Sequence, residues 1–202
     1  MLTFAPETHT YRWEGNVVPG VTSIIGTWLR LDRFGVYVNA ITGDTIGIEK
    51  MENASFVGKE IHAAAALILK DALDWDVLDA ALVQPLRWFE TWMKTNSEAR
   101  DGLIERPLYS RKYGYAGTAD LIYPRKKSII IVDYKTGAHG AVAPQLAAYE
   151  QAYREEFNYR GKVELYCLTL PKDGSEYHFR EIRDSRAWPV FLSCLNRYRY
   201  FN

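Results

Sequence analysis

Hydrophobic and polar positions follow two different rhythms along this chain, and the change falls near residue 100. From there three runs alternate, which is the period of a half-buried strand. They are Leu103 to Tyr109, Tyr115 to Tyr123 and Ser128 to Tyr134, with turns at Arg111-Lys112-Tyr113-Gly114 and Pro124-Arg125-Lys126-Lys127. Upstream the pattern is helical. A helix is predicted over 53–71 around Ala63-Ala64-Ala65-Ala66, and another over 76–99 with Leu78, Leu82, Leu86, Phe89 and Met93 on one face. Downstream come a helix over 143–157, with Pro144 in its first turn, and strands Val163 to Leu170 and Tyr177 to Ile182 around Lys172-Asp173-Gly174. A helix over 184–200 ends the chain. At the start, Thr10 to Trp13 and Asn16 to Val18 flank a Glu14-Gly15 turn, and Val21-Thr22-Ser23-Ile24-Ile25 leads onward. Residues 27–40 read as helical and 42–47 as a loop.

Helices, three meandering strands, helix, two strands and a final helix predict an α+β fold, an α/β/α sandwich around a mixed central sheet. The 202 residues suit one domain: a lead-in over 1–50, a core over 53–183 and a C-terminal helix over 184–202. No repeat, low-complexity tract or linker interrupts it.

Composition narrows the function classes. Lysine plus arginine and aspartate plus glutamate each number 25, so the net charge is zero. That balance argues against a protein that coats nucleic acid without sequence preference, since phosphate neutralisation drives such binding. It leaves room for an enzyme with a local basic groove. Two cysteines, Cys167 and Cys194, cannot supply a four-thiolate iron–sulfur or zinc site. Cys167, in an apolar run, reads as a buried strand residue. No signal peptide and no spanning apolar run is evident, so an intracellular, cytoplasmic protein without membrane attachment is expected.

The chemistry-bearing residues gather around the second and third strands. Asp133 and Lys135 are two apart on a strand and leave the same face, directly after the apolar run Ile129-Ile130-Ile131-Val132. Buried charges at that point must serve each other or a ligand. Asp120 falls within the neighbouring strand behind Gly117-Thr118-Ala119, small residues that would leave room for a substrate backbone. Two carboxylates on adjacent strands make a hard oxygen site suited to Mg²⁺ or Mn²⁺. An Asp–Lys ion pair at a strand end is the competing reading. His62 lies in a helix, with Gly58 four residues earlier on the same face, where close approach of another backbone would account for the glycine. Gln145 and Tyr149, at i and i+4, share the face of the helix that follows the Asp-x-Lys strand. Weaker motifs fail on missing partners: no lysine completes a P-loop at Gly15–Gly20, and no Ser-x-x-Lys accompanies Lys135-Thr136-Gly137.

In order, Gly-x-x-x-His, Gly-x-x-Asp, Asp-x-Lys-Thr-Gly and Gln-x-x-x-Tyr resemble the signature of the PD-(D/E)XK nucleases, RecB-like branch, over residues 56–150. Val17-Val18-Pro19-Gly20-Val21-Thr22-Ser23-Ile24-Ile25 is similar to the lead-in of phage and prophage members. The resemblance implies a restriction-endonuclease-like core and a catalytic trio of Asp120, Asp133 and Lys135. It implies one or two Mg²⁺ or Mn²⁺ ions held by His62, Asp120, Asp133 and the backbone carbonyl of Tyr134. Lys135 would orient or deprotonate the attacking water and stabilise the phosphorane charge, with Gln145 and Tyr149 supporting the site and contacting substrate. Glu105 is a candidate for the extra acidic residue that some members use near a second metal, a surface strand position being the alternative. Arg111 and Lys112 are candidates for substrate contact, as is Arg125-Lys126-Lys127, and a solvated turn is the plainer reading of each. The chain lacks the four cysteines of cluster-bearing relatives, and Ala66 stands where an acidic residue often follows the histidine. The activity implied is DNA hydrolysis, exonucleolytic and of phage recombination or repair type, in a virus or bacterium, with a recombination or replication protein as partner. An RNA or structure-specific endonuclease and a binding module without turnover are the rivals. Oligomeric state is not legible.

Overall fold

The computed structural model describes residues 1–26, 29–31, 36–39, 45–137 and 141–202. The N-terminal hairpin gains a strand: β1 (Leu2–Ala5), β2 (Thr10–Trp13) and β3 (Asn16–Val18) form an antiparallel sheet. The segment Val21-Thr22-Ser23-Ile24-Ile25, which leads on from the hairpin, forms a short helix, α1 (Val21–Gly26). Val21, Ile24 and Ile25 are its buried residues, at the three- and four-residue spacing of a helical stripe. The helix expected over 27–40 is also corrected. Its described parts are strands β4 (Leu29–Leu31) and β5 (Val36–Asn39), paired antiparallel. Of the loop expected over 42–47, Thr45–Gly47 is a strand, β6, and 42–44 lie outside the described residues.

Helix α2 (Ile48–Leu69) buries Ile61, Ala64, Ala65, Ile68 and Leu69, one stripe whose alanines let it lie close to the sheet. Helix α3 (Ala80–Thr95) begins four residues later than expected because Asp79 caps it, its carboxylate accepting the Ala81 N–H at 2.8 Å. A 3₁₀ turn, Ser97–Asp101, separates it from the sheet.

The central sheet has five strands in the order β11-β10-β9-β8-β7. They are β7 (Leu103–Ser110), β8 (Tyr115–Arg125), β9 (Ser128–Lys135), β10 (Lys162–Thr169) and β11 (His178–Glu181). Only β9 and β10 are parallel, joined through helix α4 (Val142–Glu156) as a parallel pair requires. Helix α5 (Ala187–Phe201) closes the chain. One sheet face carries α1, α4 and α5, in a core with Tyr115, Ala119, Ile131 and Leu108. The other carries α2 and α3, in a core with Leu121, Tyr123, Ile130, Val132 and Tyr134. Both faces are covered, which is why β9 reads as an almost continuous apolar run. Among the described residues no helix is long and apolar enough to cross a membrane.

Candidate active site

Alternation along β7 and β8 breaks once on each strand, at facing positions. Ile104 packs with the α2–α3 core, whereas Leu108, an even number of residues later, belongs to the opposite one. On β8, Ala119 lies in the α4–α5 core and Leu121 in the other. The β7–β8 ladder runs from Leu103↔Ile122 to Ser110↔Tyr115 and skips a single rung, Glu105 opposite Asp120. Glu105 takes a left-handed backbone, φ 47°, uncommon for a residue with a side chain. Strain of this kind concentrates where structure serves a site.

The other edge of β8 parts from its neighbour at the same residue. Pairing with β9 ends at Leu121↔Val132. Continued by one rung it would set Asp120 opposite Asp133. Instead the Tyr134 N–H donates to Asp120 Oδ2 at 2.6 Å, so a side chain takes the bond a strand would have made. Beyond the fork, the Ala116 N–H donates to the Pro19 carbonyl at 2.9 Å and Gly20 bridges to Ala116. The lead-in segment thus enters the gap between β8 and β9.

Three carboxylates, Glu105, Asp120 and Asp133, therefore stand in one row across three adjacent strands. His62 closes over them from α2. Its Nδ1 lies 3.2 Å from Asp120 Oδ1 and its Nε2 lies 3.2 Å from the Tyr134 carbonyl oxygen. Ligand atoms of His62, Glu105 and Asp120 all fall within 4.8 Å of one another. Asp133 is 1% exposed, and Lys135 Nζ approaches its Oδ2 to 2.5 Å. That ion pair engages Oδ2, whereas Asp133 Oδ1 is buried with no hydrogen-bond partner among the described residues. Lys135 supplies the cation that a buried carboxylate needs, which is the ion pair the sequence allowed, and Oδ1 is left to face the other acids. The imidazole of His62 with the carboxylates of Glu105 and Asp120 makes a donor set that could hold a divalent ion, and Asp133, paired with Lys135, stands outside that group.

Crowding shows in the protonation equilibria. Burial pushes the Asp133 carboxyl up; Lys135 opposes the shift and Asp120 adds to it. Glu105 keeps solvent contact at the cleft rim, yet loss of hydration and the Asp120 charge raise its carboxyl too. Burial works against charge on Asp120, but His62, Lys135 and the Tyr134 N–H together hold the carboxyl below its usual range. Burial likewise disfavours the imidazolium, and Asp120 overcomes it, pushing His62 up to about 9. Lys135 is raised as well: burial lowers it, and Asp133 and Asp120 more than compensate.

The structure thus brings together His62, Glu105, Asp120, Asp133, the Tyr134 carbonyl and Lys135. Gln145 and Tyr149 form a support beside them: the Gln145 amide donates to the Tyr149 hydroxyl at 2.9 Å. Two expectations about glycine are corrected. A Cβ on Gly117 would lie 2.6 Å from the Tyr149 ring and 2.8 Å from Val21, so its smallness admits α4 and α1, not substrate. Among the described residues, and leaving aside its own helix, none comes within 4 Å of a Cβ placed on Gly58, so none of them makes the close approach expected there. Ala119, wholly buried, also makes no room for substrate. Arg111 and Lys112 sit at the β7–β8 turn, roughly 17 Å of strand from Asp120, and are not part of the cluster. Arg125 is committed to Glu164 at 2.7 Å and Tyr166 at 2.9 Å. One neighbour escaped the sequence: Tyr11, whose hydroxyl is 2.9 Å from Thr118 Oγ1 and which feels the charges of Glu105 and Asp120. A contact across 107 positions leaves no local signal.

Comparison with known proteins adds to this geometry. No curated protein matches the sequence. Among solved structures, a protein named "Putative exonuclease" from Eubacterium rectale is similar at 13% identity and TM-score 0.47. The match covers 72% of this chain and 63% of that one. The protein SSO0001 is similar at 16% identity and TM-score 0.33, over 89% of this chain and 74% of that one. Residues 48–189, well over half of the chain and all of the site, match the PD-(D/E)XK nuclease superfamily. The chain belongs to the PD-(D/E)XK nuclease superfamily.

Proposed function

We propose that this nuclease is a Mg²⁺-dependent deoxyribonuclease that degrades DNA from its ends, in recombination or repair. The observation that carries the reading is the fork at Asp120, where one carboxylate joins a helical histidine, a strand N–H and two further acidic groups. His62, Asp120, Asp133 and the Tyr134 carbonyl would hold the ion, and Glu105 would extend the site toward a second. Held by those residues, a divalent ion would supply polarisation of the scissile phosphate and a lower pKa for the attacking water. Lys135 puts a cation beside Asp133, where it can offset negative charge growing on the phosphate. Asp120 keeps the end of β9 in place through the Tyr134 N–H, and Gln145 with Tyr149 backs the strand from α4. Exonucleolytic action on DNA follows the motif resemblance to phage recombination and repair nucleases.

The whole of 1–202 is taken as one nuclease domain, since α1 and α5 share a core with α4. The test is a panel of labelled linear duplex, circular duplex, single-stranded DNA and RNA, with Mg²⁺ or EDTA. Loss of linear DNA with survival of circles, only with Mg²⁺, is the expected result. Cleavage of circles would make the enzyme an endonuclease, and cleavage of RNA alone would move the substrate class.

A further inference from the structure

We infer that Trp13, Tyr109 and Arg111 form a stacking platform for a single-stranded nucleic-acid end leaving the carboxylate cleft. The inference rests on the nucleic-acid reading above and deepens it by naming the strand state of the substrate.

Trp13 on β2 and Tyr109 on β7 stack nearly parallel, centroids 4.4 Å apart and planes 15° apart. The Arg111 guanidinium lies 5.0 Å from the Trp13 ring centroid. Both rings keep part of their surface in solvent. At the same seam Tyr11 is 2% exposed and bonded to Thr118, whereas the Trp13–Tyr109 pair stays open to solvent on one side. Trp13 is two residues from Tyr11 on the same face of β2, so the wall runs outward from the cleft toward the β7–β8 turn. There Arg111 and Lys112 stand together, each over an aromatic ring, and neither takes part in an ion pair among the described residues.

Aromatic faces flanked by cations are what binding of single strands uses, because every base has a π-face and the backbone needs positive charge. A duplex hides its base faces and gains nothing from the rings. Tyr109 is four residues beyond Glu105 on β7, roughly 13 Å along the strand. That is about four nucleotide steps at 3.4 Å, so a strand end of a few nucleotides would reach from cleft to platform.

The experiment measures anisotropy of a short fluorescein-labelled oligothymidylate and of a blunt duplex of equal length. EDTA prevents cleavage, and the full chain is used. Trp13→Ala is expected to weaken the single strand roughly tenfold or more while the duplex affinity stays where it was. Trp13→Phe restores most of the loss, and Arg111→Gln flattens the salt dependence for the single strand. Tyr109→Leu must repeat the selective loss, which guards against a misfolded N-terminal sheet in Trp13→Ala. Equal losses on both probes, or no loss on either, overturn the platform. A parent that binds and cuts DNA while these variants behave like it removes the platform alone. A parent that binds no nucleic acid removes both readings.

Discussion

The carboxylate of Asp120 accepts the backbone N–H of Tyr134 at 2.6 Å and stands where the β8–β9 ladder has just stopped. One side chain thereby seals a strand edge, charges His62 and faces two other acids. Its structural and chemical duties separate on substitution. Asp120→Asn keeps an acceptor for Tyr134 but gives up the charge. Asp120→Ala gives up both and orphans a buried N–H, a loss of roughly 1–3 kcal/mol. Urea unfolding in EDTA should rank the parent first, asparagine second and alanine last. If the two variants unfold at the same denaturant concentration, the strand-sealing role is wrong.

Asp133 offers a second check, by metal addition. Its Oδ1 has no hydrogen-bond partner among the described residues and the Asp120 charge lies close by, so a divalent ion held there should stabilise the folded chain. Mg²⁺ at about a hundred times its dissociation constant adds roughly 2.7 kcal/mol. The melting temperature should rise with Mg²⁺ in the parent and stay flat in Asp133→Asn. An equal rise in both would place the ion elsewhere.

Gly117 carries a packing consequence. An alanine there must push the Tyr149 ring or Val21 aside, since the new carbon would sit 2.6 Å from one and 2.8 Å from the other. Overpacking of this kind costs roughly 1–3 kcal/mol. Thermal unfolding of Gly117→Ala should show that loss, and Tyr149→Leu in the same chain should recover part of it. A melting temperature equal to the parent's would contradict the contact.

Much of this was legible in the chain, for a physical reason. The alternation in β7, β8 and β9 and the stripe Leu82, Leu86, Phe89, Met93 reflect burial on one or two faces, which the sequence must encode locally. Asp133-x-Lys135 was visible because charges directly after four apolar residues must serve each other or a ligand. The fork was not visible. It depends on Glu105 turning left-handed and on both strands switching faces at once, and a pattern of alternation in one strand says nothing about its neighbour. Glu105, exposed at the rim, therefore fitted the surface reading and the metal-side reading alike, and Gly117 passed as a gap for substrate when the gap is filled by Tyr149. The expected helix over 27–40 went astray because short apolar runs fit either period. Leu78 lies before the cap at Asp79, and Trp92, fully buried in α3, was not in the expected stripe.

Away from the site, Glu164 sets an acid limit. The Lys162, Ser128 and Arg125 side chains around it hold its carboxyl down at about 2. A carboxyl depressed in the folded state stabilises fully above its unfolded value of 4.5, and the contribution disappears as pH falls toward 2. Glu164→Gln should be less stable than the parent at neutral pH, and the gap should close across that window. A gap that is constant with pH would mean the carboxylate charge contributes nothing.

The central claim is that the Asp120 fork performs phosphodiester hydrolysis. Cleavage of an end-labelled linear duplex in Mg²⁺, run side by side for the parent and folded Asp120→Asn, tests it most directly. The rate should be lower by roughly a hundredfold or more in the variant, with no cleavage by either protein in EDTA. Equal rates in parent and variant, or cleavage that persists in EDTA, would contradict it.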